Sequence, residues 1–237
     1  MPAFNEEEGI VEFLSELNES LSQFDPFFVV VDDLSTDGTS SAVQHASTAG
    51  INCTITTNPS NLGHGPSTLS ALRLGLRSDS DYIIALDGDG QFIGADVAKI
   101  VKTIQGGDYD IVEGVRLQRG DPIYRRFVSS VTRTLVRSRA GERPTDANTP
   151  LRAYKPEILL EILEAIPADA STPNLLISAI TRRRGLNFTE VGVTSIPRRG
   201  SDSSGSTWKA KTQVLPSKRF IKFCAKATRQ WLTTPLS

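Results

Sequence analysis

Short apolar runs alternate with helix-patterned segments through the first half of this chain, and that alternation restricts the fold more than any other feature. Phe27-Phe28-Val29-Val30-Val31 is an unbroken apolar run, and so is Tyr82-Ile83-Ile84-Ala85-Leu86. Runs of this length without polar alternation predict strands covered on both faces, as in a parallel sheet. Ile51–Thr56 and Tyr109–Glu113 read as two further strands. Helical spacing lies between them: Ile10, Leu14, Leu17 and Leu21; Val43 and Ala46; Leu69, Leu72 and Leu76; Val97, Ile100, Val101 and Ile104. Asn5 is the expected N-cap of the first helix, with Glu8 three residues on in a capping-box arrangement. Strands alternating with helices predict an α/β domain with a mainly parallel sheet and helices on both faces.

The second half is helical and basic. Ile123, Phe127, Val131 and Leu135 mark one helix from Asp121, a second follows Lys155-Pro156, and Leu175, Leu176, Ala179 and Ile180 mark a third. Phe188–Ile196 reads as a late strand. The expected organisation is a domain over 1–197, a Gly/Ser-rich loop over 198–216 and a basic amphipathic helix over 217–237. In that helix Phe220, Cys224, Ala227 and Trp231 share one face, and Lys218, Lys222, Lys226 and Arg229 another. Such a helix can lie on an anionic membrane surface, or pack its apolar face on the domain and solvate its lysines.

A formal net charge of −1 over 237 residues provides no global field for a polyanion, so no nucleic-acid partner is expected. The charge is unevenly placed: acidic residues dominate the first half, while Lys and Arg dominate from Arg116 onward. Two distant cysteines make no disulfide framework. No apolar run approaches a bilayer's thickness, so a cytoplasmic protein is expected, at most peripheral at the cytoplasmic membrane face.

Two predicted strands end in paired carboxylates, Asp32-Asp33 and Asp87-Gly88-Asp89. In an open parallel sheet, ligands bind beyond the carboxyl ends of the strands. Crowded carboxylates repel one another, and a bound cation relieves that repulsion. Hard oxygen donors suit Mg²⁺ or Mn²⁺, a metal shared with substrate phosphates. Gly88 and Gly90 allow a tight bend and close approach to a ligand, and Gln91 offers a further oxygen.

Four ordered blocks carry a resemblance. They are Pro2-Ala3-Phe4-Asn5-Glu6-Glu7; Val30-Val31-Asp32-Asp33-Leu34-Ser35-Thr36-Asp37-Gly38-Thr39; Asn61-Leu62-Gly63-His64-Gly65; and Asp87-Gly88-Asp89-Gly90-Gln91. Together they resemble the family-2 inverting glycosyltransferases of GT-A (Rossmann-like) fold. Within that family they look most like the dolichyl-phosphate mannosyltransferase, or polyprenyl-phosphate glycosyltransferase, branch. The resemblance implies a nucleotide-diphospho-sugar donor site lined by Pro2, Phe4, Glu6, Val31, Asp33, Asp87, Gly88, Asp89, Arg116, Arg199 and Lys209. Val31 and Asp33 would meet the base or ribose. Asp87, Asp89 and Gln91 would hold the metal, and Arg116 would face phosphate. Arg125 and Ser129, one helical turn apart, would hold the phosphate of a lipid acceptor, joined by Arg152. Asp146 would orient the acceptor or act as a base, with Arg152 paired to it or to phosphate. Asp89, Arg116, Asp146 and Arg125 are thus the expected catalytic set.

The chain departs from the family in three places. Relatives carry a hydrophobic strand before the Pro-x-x-Asn-Glu block, whereas Met1 directly precedes Pro2 here, so the usual first strand is expected to be missing. The basic block near the C-terminus reads RRGSDSSGSTWK, making Arg199 and Lys209 the equivalents. Many relatives carry C-terminal membrane helices, and none is expected here.

The expected reaction is transfer of the sugar to a polyprenyl phosphate with inversion. Alternatives are an inverting transfer to a hydroxyl, or a truncated, inactive nucleotide-sugar-binding protein. A nucleotidyltransferase would show a Gly-rich loop bearing Lys or Arg near the N-terminus, and none is present.

Overall fold

The computed structural model describes residues 1–117, 123–200 and 218–237, with helix residues 123–129 and 218–221 described by backbone alone. Lys209 and most of the Gly/Ser-rich loop therefore lie outside the described residues. Strands β1 (Pro2–Ala3), β2 (Phe28–Asp32) and β3 (Cys53–Thr57) pair in parallel, in the order β1-β2-β3. Strands β4 (Ile83–Ala85), β5 (Ile111–Arg116), β6 (Arg152–Tyr154) and β7 (Phe188–Val193) form a second sheet ordered β4-β6-β5-β7. There β5 and β7 are parallel, while β6 runs antiparallel between β4 and β5.

Before β2 the described chain has only the two-residue strand β1. The Val31 and Asp33 amides donate to the Met1 and Ala3 carbonyls, each at 2.9 Å. On the other side, the Gly88 amide donates to the Pro2 carbonyl at 3.0 Å, tying the two sheets together at their carboxyl ends. A Cβ at Gly88 would lie 2.8 Å from that Pro2 oxygen, so the close approach requires glycine.

Side-chain alternation along the strands distributes the core to both faces. Ile83 and Ala85 pack with Leu69, Leu72, Leu159, Leu176 and Ile180 on one face. Leu86 and Val112 pack on the other face with Ile10, Leu14, Leu17, Val97 and Ile100. The first cluster involves helices α3 (His64–Gly75), α6 (Pro156–Ala165) and α7 (Pro173–Arg183). The second involves α1 (Ile10–Ser20), α2 (Thr39–Thr48) and α4 (Gly94–Gly106). The helical spacing read from sequence therefore corresponds to buried stripes. Truncating one fully buried leucine, such as Leu17, would cost about 2–5 kcal/mol.

Two local expectations are corrected. Asn5 is not a helix cap: α1 begins at Ile10 with Gly9 at its N-cap, and no side chain caps it. Asn5 instead adopts a left-handed conformation (φ 53°), and its Oδ1 accepts the Thr36 amide at 2.9 Å. Asparagine tolerates that region better than most residues because its short polar side chain bonds locally. The second correction is β6, which a three-residue Arg-Ala-Tyr segment did not reveal.

Helix α5 spans Ile123–Ala140, and the C-terminal helix α8 spans Lys218–Thr233. Trp231 is buried, with the Arg139 guanidinium 5.2 Å over its ring. Gln230 accepts the Ser171 amide at 2.9 Å, and Lys226 pairs with Asp169. The Trp231 side of α8 thus packs on the domain, while Phe223 and Leu232 remain exposed. No helix among the described residues is long and apolar enough to cross a membrane.

Candidate active site

The carboxyl ends of β1, β2 and β4 converge, and the Asp87-Gly88-Asp89 turn sits where they meet. Asp87 Oδ1 is buried and accepts no hydrogen bond among the described residues; the His64 imidazole lies beside it, with Nε2 3.7 Å away. The Asp89 carboxylate accepts a long bond from the Gln91 amide, at 3.2 Å. Burial, then the charge of Asp87, push the Asp89 carboxyl up to about 6. Glu6 lies in the same field. Burial raises it to about 7, with Asp89 and Asp87 adding to the rise. Its ion pair with Arg198 (2.8 Å) opposes the shift, so desolvation outweighs a well-formed contact here.

This donor set suits a hard divalent cation. A buried carboxylate oxygen without a proton donor and a second carboxylate weakened by its neighbour both gain from positive charge. Among the described residues no group of three or more His, Cys, Asp or Glu is placed to hold a metal ion. Two carboxylates leave coordination positions open, as suits Mg²⁺ or Mn²⁺ shared with substrate phosphates. The Gln91 backbone is fixed by the Ile196 amide donating to its carbonyl at 2.9 Å.

Asp32 and Asp33 do not join this group. Asp33 is buried and accepts bonds from Asn58 (2.9 Å) and from the Leu62 and Gly63 amides (2.8 Å each). Its carboxylate shapes the Asn61-Leu62-Gly63 loop that leads into α3. Gly63 has φ 87°, and a Cβ at Gly65 would lie 2.3 Å from the Ala170 carbonyl oxygen, so both glycines are required. Asp32 is engaged by the Ser35 amide (3.0 Å) and the Ser40 hydroxyl (2.8 Å). The expectation of four carboxylates around one cation reduces to Asp87 and Asp89, because the first pair is consumed by turn-forming donors.

Other expected site residues fall as follows. Pro2 is buried in β1, and Phe4 is half-buried, with its carbonyl accepting from Arg198 at 3.3 Å. Val31 is fully buried, so its side chain belongs to the interior and not to a base or ribose contact. Arg116, at the end of β5, donates through Nε to Asp146 Oδ2 (2.7 Å) and through Nη2 to Asp146 Oδ1 (3.1 Å). Arg152 does not pair with Asp146. It is wholly buried in β6, donating to Glu113 Oε1 at 3.0 Å and to Asn174. Arg182 shares the same Glu113 at 2.8 Å, so Arg152 ties β6 to β5 and α7 and has no open path to an acceptor phosphate. Arg125 and Ser129 lie on α5, and their side chains are outside the described ones.

Arg199 borders the Asp87–Gly90 turn: its amide donates to the Asp89 carbonyl at 3.1 Å and its Nε to the Gly90 carbonyl at 3.2 Å, while its other guanidinium nitrogens meet Glu12 (2.8 Å) and Glu16 over the Phe13 ring. Arg198 instead faces Glu6 and the Asn5 carbonyl (2.8 Å), and its charge lowers the Asp89 carboxyl.

The fold is that of the GT-A glycosyltransferases. The sequence profile of "Glycosyl transferase family 2" matches residues 1–163, and the chain belongs to that family. It is 28% identical over 212 residues to the undecaprenyl-phosphate 4-deoxy-4-formamido-L-arabinose transferase of Serratia proteamaculans, covering 88% of this chain and 62% of that protein. It thus spans about three fifths of that relative's length. It is 25% identical to the undecaprenyl-phosphate mannosyltransferase of Micrococcus luteus, covering 87% of this chain and 86% of that one. Among solved structures it is similar to a mannosyltransferase from Pyrobaculum calidifontis in complex with GDP-Man and Mn²⁺, with a TM-score of 0.54 and 21% identity over 97% of this chain and 61% of that one. It is also similar to glucosyl-3-phosphoglycerate synthase from Mycobacterium tuberculosis in complex with Mn²⁺ and UDP-glucose, with a TM-score of 0.58 and 18% identity over 85% of this chain and 70% of that one. These likenesses establish the fold.

Proposed function

We propose that this chain transfers a sugar from a nucleotide-diphospho-sugar to a polyprenyl phosphate, with inversion at the anomeric carbon. The observation that carries this reading is the buried, unbonded Asp87 Oδ1 beside the weakened acid Asp89, at the mouth of the sheet. Asp87 and Asp89 would hold Mg²⁺ or Mn²⁺, with Gln91 beside them. The ion supplies charge neutralisation to a departing diphosphate.

The chain's own residues account for the rest. The loop fixed by Asp33 places His64 at the edge of the carboxylate pair. Arg198, clamped on Glu6, puts a fixed positive charge beside Asp89. Arg116, oriented by Asp146, presents a guanidinium with donors in a planar fork, the geometry that suits phosphate oxygens. Arg125 and Ser129, one turn apart on α5, are proposed to hold the acceptor phosphate.

A phosphate acceptor is favoured over a hydroxyl by the state of Asp146. A hydroxyl nucleophile needs a proton acceptor, and both Asp146 oxygens already accept from Arg116. A phosphate is anionic near neutral pH and needs none. The similarity to two undecaprenyl-phosphate transferases supports the same choice. The exposed Phe223 and Leu232 on α8, with Lys222 and Arg229 near them, support contact with the membrane holding such a lipid.

The test is transfer of radiolabelled sugar from GDP-, UDP- and dTDP-sugars to undecaprenyl phosphate in detergent with Mn²⁺. Lipid-linked product that disappears in Asp89→Asn supports the reading. Turnover with hydroxyl acceptors but not with the lipid phosphate would replace it with the hydroxyl-acceptor alternative.

A further inference from the structure

Helix α8 grips the backbone of a distant segment through one side chain. Gln230 Oε1 accepts the Ser171 amide at 2.9 Å. Its Nε2 donates to the Asp169 carbonyl at 3.0 Å and to Asp169 Oδ1 at 3.2 Å. A glutamine amide carries both donors and an acceptor, so one side chain serves a backbone N–H and a backbone carbonyl together. The segment it holds joins α6 to α7 and turns on itself, with the Ala170 amide donating to the Pro167 carbonyl at 2.9 Å. Gln230 is delivered in one place because α8 is fixed beside it. Trp231 is buried under the Arg139 guanidinium, which also donates to the Trp231 carbonyl and, at 3.0 Å, to the Thr234 carbonyl.

The carbonyl side of the same segment rests on α3. Ala170 is fully buried, and a Cβ at Gly65 would lie 2.8 Å from the Ser171 carbonyl oxygen and closer still to that of Ala170. The two backbones meet at the first turn of α3, which glycine alone permits. His64 stands immediately before Gly65, with its Nε2 3.7 Å from Asp87 Oδ1. Its side chain is 54% exposed, so the ring is placed by the backbone beneath it more than by packing around it.

We propose that Gln230 is a positioning residue for the donor site: it holds the Asp169–Ser171 segment against the first turn of α3 and so keeps His64 beside Asp87. Asp33 supports that turn from the other end, through the Leu62 and Gly63 amides. The Lys226–Asp169 pair contributes little, because its side chains are 48% and 66% exposed. The link to sugar transfer rests on the function proposed above. A donor diphosphate at Asp87 and Asp89 would meet His64, so a loosened turn would weaken donor binding.

The chain has two histidines, and its imidazole NMR spectrum therefore holds two signals. His45 lies on α2, which packs on α1 and β3, and serves as the internal control. Without ligand and at one fixed pH, Gln230→Met is expected to move the His64 signal and leave that of His45 in place. Lys226→Ala, on the same helix, is expected to move neither. With Mn²⁺ and a UDP- or GDP-sugar, Gln230→Met should raise donor KM about tenfold, the scale of one lost polar contact, with kcat unchanged.

An unmoved His64 signal in Gln230→Met would overturn the proposal. Equal movement of both histidines would overturn it too, since the loss would then be of the fold. So would movement of His64 in Lys226→Ala, because the seating of α8 as a whole would then set the turn. A moved signal with an unchanged donor KM would overturn the link to the donor site. If the unaltered chain binds no nucleotide sugar with Mn²⁺ while the His64 signal moves as expected, the proposed function fails and the positioning role stands.

Discussion

Asp146 holds Arg116 through both of its carboxylate oxygens, at 2.7 and 3.1 Å, at the end of β5. The pair joins β5 to the loop before β6 across thirty residues of sequence. Under the proposed function Asp146 is a positioning residue. Asp146→Asn is therefore expected to lower kcat about tenfold while leaving the shape of the pH–rate profile unchanged. Arg116→Ala should cost about 10²–10³ in kcat, the usual cost of losing a preorganised donor. Steady-state kinetics across pH check both. Loss of the profile's acidic limb in Asp146→Asn would identify a proton acceptor instead.

The Asp33 carboxylate organises the Asn61–Gly63 loop through one side-chain and two backbone donors. Asparagine at position 33 would turn an amide NH₂ toward at least one of those donors. Bonds to charged groups carry about 1.5–3 kcal/mol each, so Asp33→Asn is expected to lower unfolding free energy by about 3 kcal/mol. Urea denaturation measures it. A loss below about 1 kcal/mol would show that the loop is held by other contacts.

Glu113 is the anion between two buried guanidiniums, Arg152 and Arg182. Its removal strands both charges, so Glu113→Ala is expected to cost about 3–5 kcal/mol. Glu190 also meets Arg182 but is partly open to solvent, and Glu190→Ala should cost about 1 kcal/mol. Equal costs for the two would contradict the buried network.

Glu6 and the Met1 ammonium act on stability in opposite directions over one pH range. Glu6 titrates near 4.5 when unfolded and about 7 when folded, so its stabilisation is complete below 4.5 and disappears as pH rises through 7. Met1 titrates near 8 when unfolded and about 5 when folded, so its contribution is complete above 8 and disappears as pH falls through 5. Between pH 5 and 7 the two offset. Glu6→Gln is expected to leave a Tm that climbs with pH from 5 to 8, and acetylation of the N-terminus should flatten it. An unchanged pH–Tm curve in Glu6→Gln would contradict the assignment.

The strands and helices that were legible in sequence owe that to unbroken length and clear period. Phe28–Asp32 and Ile83–Ala85 are covered on both faces, and α1 and α4 carry one buried stripe each. Strand β6 was hidden because three residues have no period and its arginine reads as surface; only Glu113, distant in sequence, makes its burial tolerable. The Asp87 and Asp89 pair was legible because a strand end and two glycines announce it. The competition for Asp33, the embrace of Arg116 by Asp146 and the pairing of Arg198 with Glu6 depend on tertiary partners that no local pattern encodes. The family profile ends at residue 163, before β7.

Calorimetric titration of UDP- and GDP-sugars into the protein, with and without Mn²⁺, tests the pairing of Asp87 and Asp89 with a metal-bound diphosphate most directly. At least one donor should bind about tenfold or more tightly with Mn²⁺, and Asp89→Asn should erase that difference while leaving Tm in buffer unchanged or higher, since it removes a repelled, buried charge. Binding of equal strength in excess chelator, or Mn²⁺ dependence that survives in Asp89→Asn, would contradict the account.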